Sequence, residues 1–275
     1  MSDLRNRPAP ELTEADRLRL GRTVQVPGTT GVLGIIVAVA AVAWSWAGSG
    51  FSIERFIEGV PRMGDFLSRT WPPDFTDLDV IVRLLIETLQ MAIIGTLVGA
   101  LLSLLVSFGA TSTIAPRWLY YPCRFVLNVL RSIPDLIFAL MFVSAVGLGP
   151  FAGILAIILG SLGSIAKVYA EAMEAVDTGP IDALRSTGAT GRQVIAYGVL
   201  PQASPLLVSY TLLLFEGNVR GATILGLVGA GGIGMELTTA MRLYDYGHML
   251  AIIISIVVLV TVIDRLSATI RKRVR

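Results

Sequence analysis

Thr88-Leu-Gln-Met-Ala-Ile-Ile-Gly-Thr-Leu-Val-Gly-Ala-Leu-Leu-Ser-Leu-Leu-Val-Ser-Phe108 is the stretch that decides the fold. No charge occurs anywhere between Glu87 and Arg117. About 20 mostly apolar residues suffice for a helix to cross the hydrocarbon of a bilayer, and this run supplies them. The rest of the chain is built from the same material: of 275 residues, 54% are apolar and 15% are charged. A water-soluble domain carries about a quarter charged residues. Charge this sparse cannot cover a water-facing surface, so lipid is the solvent that fits.

Working outward, five further runs qualify. Gly31–Trp46 lies in the uncharged interval between Arg22 and Glu54. Phe125–Val146 carries Arg131 and Asp135 in its first half, and the turn Gly147-Leu-Gly-Pro150 separates it from Phe151–Ala170. Ser204–Leu225 contains Glu216 and Arg220, and Gly247–Ile263 lies between Asp245 and Asp264. The expectation is an all-α integral membrane protein with six transmembrane helices, formed by a single domain over residues 31–275 after an N-terminal tail over residues 1–30. That tail is polar and does not read as a cleavable export signal. Glu11–Arg22 within it is compatible with a short surface helix.

Basic residues orient the spans. With the N-terminus inside, inner segments carry 15 Lys and Arg and outer segments carry 5. The positive-inside rule then puts both termini in the cytoplasm. In the first outer segment, residues 51–75, Phe51, Ile53, Phe56, Ile57, Val60, Met63, Phe66 and Leu67 recur at helical spacing with Glu54, Arg55, Glu58, Arg62, Asp65 and Arg69 between them. This predicts an amphipathic helix on the outer interface, serving as a packing element or as a receptor-docking surface.

The same count places the longest polar stretch between spans, Glu171–Pro201, in the cytoplasm. Asp177-Thr-Gly-Pro180 is a turn that starts a helix, with Pro180 at the first helical position and Asp182 in the first turn. Ile181 and Leu184 share a face and form a small apolar knob. Gly188 suits a left-handed helix stop. Thr190-Gly-Arg-Gln193 has the spacing of a capping box for a second helix, which Leu200-Pro201 closes. Two capped helices make a rigid element that a partner can push.

Asp182-Ala183-Leu184-Arg-Ser-Thr-Gly188 followed by Leu200-Pro201 resembles the EAA loop of binding-protein-dependent ABC importer permeases. The family pattern is Glu-Ala-Ala, three residues, Gly, nine residues, Ile, one residue, Leu-Pro. Here Asp182 replaces Glu, Leu184 replaces the second Ala, and Gly198 stands where Ile is usual. The resemblance implies the type I importer permease fold. It also implies that Pro180, Ile181, Asp182, Ala183, Leu184, Arg185 and Gly188 contact a cytoplasmic ATPase. Arg131-Ser-Ile-Pro-Asp-Leu-Ile137 and the run from Glu216 to Gly234 resemble the phosphonate-import branch. The partners so implied are a second permease copy, an ATPase dimer that binds the ATP and Mg, and an extracytoplasmic substrate-binding protein. The location implied is a bacterial inner membrane, and the cargo is phosphonate, phosphate or phosphite, moved by alternating access.

Other features narrow the function. No Gly-x-x-x-x-Gly-Lys-Ser/Thr loop occurs, so this chain is not expected to bind ATP. Gly229-Ala-Gly231-Gly232-Ile-Gly234 fits the dinucleotide fingerprint, but it follows a membrane helix rather than a strand. Irregular backbone at membrane depth must be buried in protein or face water, which places these glycines beside the path or an outer gate. Glu216 and Arg220 are four apart on one helical face. They pair with each other, or Arg220 offers a positive site to an anion in transit. Arg131, Ser132 and Asn218 join them as candidate path residues, with Asp135 a possible partner of Arg131. One Cys, Cys123, and one His, His248, exclude an intrachain disulfide and a Cys/His metal cluster. Cys123 reads as a packed thiol and His248 as an interfacial residue. The competing functions are a permease for another small solute such as an amino acid, a stand-alone secondary transporter, which would show inverted repeats or matched broken helices, and a membrane-embedded enzyme, for which clustered catalytic groups are lacking.

Overall fold

A computed structural model describes residues 28–274. The proposed surface helix at Glu11–Arg22 lies outside them. The chain divides into two units, Met1–Gly64 and Asp65–Arg275. In the first, α1 spans Thr29–Gly48 and buries none of its residues. It has the length and apolarity of a membrane span. Helix α2, Ile53–Thr70, begins in this unit and falls inside the predicted amphipathic segment. Phe56, Ile57, Val60 and Met63 are exposed along it.

The regular secondary structure among the described residues of the second unit is all helical. Helix α3 (Leu78–Ala110) extends the predicted span by ten residues at its start. It is followed by α4 (Arg117–Ser132), α5 (Asp135–Val146), α6 (Pro150–Glu174) and α7 (Thr178–Ser186). A long continuous helix, α8, covers Gly191–Gly226. It contains a π-helical segment, Val194–Val199. Helix α9 (Ile233–Arg242) and helix α10 (Tyr246–Val274) complete the unit. Among the described residues of both units, five helices are long and apolar enough to cross a membrane, and the pair α4 and α5 makes a sixth span only if counted together.

That third span is not the continuous helix expected over Phe125–Val146. It bends by 87° between α4 and α5. Proline supplies no N–H and pushes the preceding residue out of the helical region. Ile133 accordingly sits in extended backbone, φ −94°, ψ 120°, and Pro134 caps the new helix. The sequence expectation also missed α9, a ten-residue helix between the last two spans.

The bundle centre is α3 against α6. Gly95, Gly99, Ser103 and Ser107 fall every four residues along α3 and are all buried. A Cβ on Gly95 would sit 2.5 Å from Ile157 Cγ2, and one on Gly99 would sit 2.7 Å from Ser161 Cβ. Lipid tails are as apolar as Leu, so spans gain little by burying oil against oil. They associate through close backbone approach and through hydrogen bonds. The core around this seam is correspondingly small-sided, with Ala92, Ala139, Ala156 and Ala222 filled in by Met91, Phe138, Ile157 and Leu225.

Candidate functional site

The capped loop forms as a rigid element, with two revisions. Helix α7 starts at Thr178, where the Asp177 carboxylate accepts the Gly179 N–H at 3.0 Å. Pro180 is therefore the third helical residue, and Asp182 lies past the first turn, where it is no longer placed to meet the helix dipole. Instead it pairs with Arg185 at 3.5 Å on the exposed surface. The stop is as expected. Gly188 has φ +79°, its N–H reaches Arg185 O at 3.0 Å, and the Ala189 N–H reaches Leu184 O at 3.2 Å. These two bonds make a Schellman motif. The Thr190 N–H then donates to Gln193 Oε1 at 2.8 Å, the expected capping box.

The apolar knob does not face outward. Ile181 is buried and Leu184 is half-buried. Both close over Gly198, whose missing Cβ would lie 3.1 Å from Leu184 Cδ1 and 3.4 Å from Ile181 Cγ1. The exposed face carries Pro180, Asp182, Ala183 and Arg185 instead. Amphipathicity alone cannot say whether an apolar face meets a partner or its own chain. This contact also explains two departures from the EAA pattern: a large residue at 184 occupies the space left by a small one at 198.

Leu200-Pro201 does not end a helix either. The π turn over Val194–Val199 carries the chain straight into the fifth span. Pro201 cannot donate to the turn below it, and Gln202 takes over part of that duty. Its Nε2 donates to Gly198 O at 2.7 Å and to Asp177 O at 3.3 Å, while its Oε1 accepts the Asp177 N–H at 3.1 Å. One side chain thus fastens the start of α7 to α8. The loop root is fastened separately by Arg124, which the sequence reading passed over. Arg124 donates to both oxygens of Glu174 at 3.1 Å and through Nε to Ala110 O at 2.9 Å. It lies 3.6 Å from Glu171 and 5.3 Å from the centre of the Tyr120 ring. Acids three apart at a span end, Glu171 and Glu174, were the signal for a cation from elsewhere.

The candidate path residues part company. Glu216 and Arg220 do not pair with each other. Buried Glu216 binds Arg271 at 2.7 Å. Arg220 reaches Asp264 at 3.4 Å with both side chains about half exposed. Both new partners lie on α10, so the ion pairs tie α8 to α10. Asn218 is buried in the bundle and donates to Thr96 Oγ1 at 2.8 Å and Ser161 Oγ at 3.0 Å, joining α3, α6 and α8. Arg131, Ser132 and Asp135 are exposed. The 87° bend keeps Arg131 and Asp135 from forming the expected pair, and Ser132 Oγ donates to Val129 O at 2.7 Å. Cys123 packs on Gly109 as expected of a structural thiol. His248 is buried within the protein, 3.3 Å from Glu236.

The glycine run forms the turn from α8 into α9. Gly229, Gly231 and Gly232 have φ of +91°, +82° and +70°. The turn is packed within protein. The Gly149 N–H donates to Gly229 O at 2.9 Å, and a Cβ on Gly231 would lie 2.7 Å from Pro150 N. A Cβ on Gly234 would collide with Thr223 O. Glu87 and Thr88 of α3 accept the N–H groups of Gly232 and Ile233, each at 2.9 Å, and so cap α9. The turn follows a helix, not a strand, so the dinucleotide fingerprint is without its structural context.

Residues 99–275 match the family described as the binding-protein-dependent transport system inner membrane component. The chain belongs to this family. It is a multi-pass transport permease, not an enzyme. The permease is 39% identical over 243 residues to the phosphite transport system permease protein PtxC of Stutzerimonas stutzeri, covering 88% of each chain. It is 41% identical over 215 residues to the phosphate-import permease protein PhnE of Mycolicibacterium smegmatis, covering 78% of this chain and 40% of that one. Among solved structures, the inward-facing MetNI methionine ABC transporter matches with a TM-score of 0.65 at 27% identity, over 74% of this chain and 99% of that one. The fold is that of a type I ABC importer permease.

Proposed function

We propose that this permease forms the translocation pathway of an ATP-driven importer for a phosphorus oxyanion: phosphite, phosphate or a phosphonate. The observation that carries the reading is the 39% identity to a phosphite permease across 88% of both chains, joined to a capped loop whose polar face is free for a partner. Two copies line the pathway. An ATPase dimer binds ATP and Mg and receives the α7 loop through Pro180, Asp182, Ala183 and Arg185. A binding protein delivers the anion on the opposite side. Both termini and the residue 171–201 loop lie in the cytoplasm, in agreement with the positive-inside bias, and the 51–75 segment lies on the outer interface of a bacterial inner membrane. ATP binding draws the two loops together and opens the bundle outward, and hydrolysis resets it.

Arg131 and Ser132 are the path residues this reading retains, because both are exposed beside a broken span. Such breaks set polar groups at membrane depth. Arg220 keeps a half-exposed guanidinium next to Asp264 and is a second contact. Asn218 and Glu216 are packing groups, and the glycine turn is the hinge of an outer gate.

The test is uptake of labelled phosphite, phosphate and methionine into vesicles that hold the permease with its co-purified ATPase and binding protein. The reading expects ATP-dependent entry of a phosphorus oxyanion and no methionine entry. Methionine entry would move the chain to the amino-acid reading, and entry without ATP to the secondary-transporter reading. A broken span, which that last reading also uses, occurs once among the described residues rather than at matched positions.

A further inference from the structure

Arg131 and Asp135 flank the broken span at a depth where neither can face lipid. The backbone around Arg131 packs on Gly163 and the Asp135 carboxylate packs on Gly160. At 1.5 Å per residue these glycines lie roughly 15–20 Å from the Pro150 end of α6, near the middle of a bilayer. Both residues are exposed, the Asp135 carboxylate only in part because it lies against Gly160, and neither side chain makes a hydrogen bond or ion pair among the described residues. Around them α4 and α5 present exposed apolar side chains, including Phe125, Val129, Ile137 and Met141. Ionisable groups at mid-depth face protein or water and usually pair. On an unbroken helix these two would meet at i and i+4, but the bend separates them.

We propose that a second copy of this chain covers the patch, with Arg131 of each copy paired to Asp135 of the other. The patch carries one charge of each sign within a few residues. A two-fold axis brings residue i against j and j against i, so such a patch is complementary to itself, and the exposed apolar residues seal its rim. The two ion pairs close the route between the copies at mid-depth, and Arg131 meets the anion only when they part. This rests on the reading that two permease copies line the pathway, and it adds the residues that meet there.

The experiment uses the full permease with its ATPase, with Cys123→Ser in every copy and two differently tagged copies per complex. One copy carries Arg131→Cys and the other Asp135→Cys, and a short bis-thiol-reactive linker is added. The 131–135 product of this complex should exceed, at least about tenfold, the 131–131 and 135–135 products of parallel complexes that carry one of the two substitutions in both copies, as expected for close, opposed charge sites. Equal yields, or no product between copies, would overturn the pairing. Charge reversal gives an answer independent of cross-linking. Arg131→Glu in every copy, or Asp135→Arg in every copy, should cut phosphite uptake about tenfold or more. A complex with Arg131→Glu in one copy and Asp135→Arg in the other restores both trans pairs and no cis pair, and should recover to within about threefold of the parent. A mixed complex as inactive as the single variants would sink the proposal. If the parent takes up no phosphorus oxyanion, the cargo assignment fails while the cross-linking result still decides the pairing.

Discussion

Residues 184 and 198 illustrate how two departures from a family pattern become one. Leu184 is large where the EAA loop has Ala, and Gly198 is small where it has Ile. Their 3.1 Å approach makes them a single packing decision. Gly198→Ile should overpack this contact and destabilise the permease by about 1–3 kcal/mol. Adding Leu184→Ala should recover most of the loss, and thermal unfolding of the detergent-solubilised chain measures both; equal melting of single and double variants would show that the residues are independent. Gly232 is another residue-scale constraint. It combines a φ of +70° with a Thr88 Oγ1 that a Cβ would approach to 2.5 Å. Gly232→Ala should cost about 1–3 kcal/mol from a positive-φ, extended backbone that essentially only glycine adopts, with the Thr88 clash adding to it, whereas the exposed Gly217, with open space around it, should tolerate Ala.

At the scale of elements, two fastenings hold the loop that the ATPase is proposed to contact. The Schellman stop at Gly188 fixes where α7 ends. Gly188→Val sets a β-branched residue at φ +79°, a strain of order 1–3 kcal/mol. The expected outcome is continued ATP hydrolysis with uptake per ATP falling severalfold, and unchanged uptake per ATP would remove the loop from the coupling role. Arg124 ties the loop root to α3 and α6 through Glu174 and Ala110. Arg124→Ala leaves a half-buried carboxylate without its cation, a loss of about 1–3 kcal/mol. Arg124→Lys should recover only part of it, since an ammonium cannot hold both Glu174 oxygens and the Ala110 carbonyl in one plane. Chemical denaturation of the solubilised permease separates the two variants. The sequence announced the caps of this loop because caps are local, set within four residues. It announced neither Arg124 nor the tie from Gln202 to Asp177, because these partners lie 14 to 50 residues away.

Across the whole molecule, the bundle is closed by small residues and a few polar cross-links rather than by bulk. Gly99 and Asn218 meet the same Ser161 from two sides. Gly99→Leu should force α3 off α6 and prevent assembly with the ATPase, visible as loss of co-purification. Asn218→Leu removes two interhelical hydrogen bonds, which in membranes average about 0.6 kcal/mol each, so the protein should still assemble with a lowered melting temperature. If Asn218→Leu abolished uptake with melting unchanged, Asn218 would return to the list of path residues.

The sequence by itself determined that the chain is an all-α, multi-span membrane protein, which loop is capped at both helices, and which family pattern that loop follows. Hydropathy, capping and spacing are short-range properties, and each reads out within one helix or one turn. Only the tertiary structure decided that the third span is bent, that Glu216 and Arg220 take partners from α10 instead of each other, and that Ile181 and Leu184 face inward. The physical reason is that a charge or an apolar face states a need for a partner without naming it. The partner is chosen by which helices the chain brings alongside, and that choice is made by close packing along α3 and α6 among residues far apart in sequence.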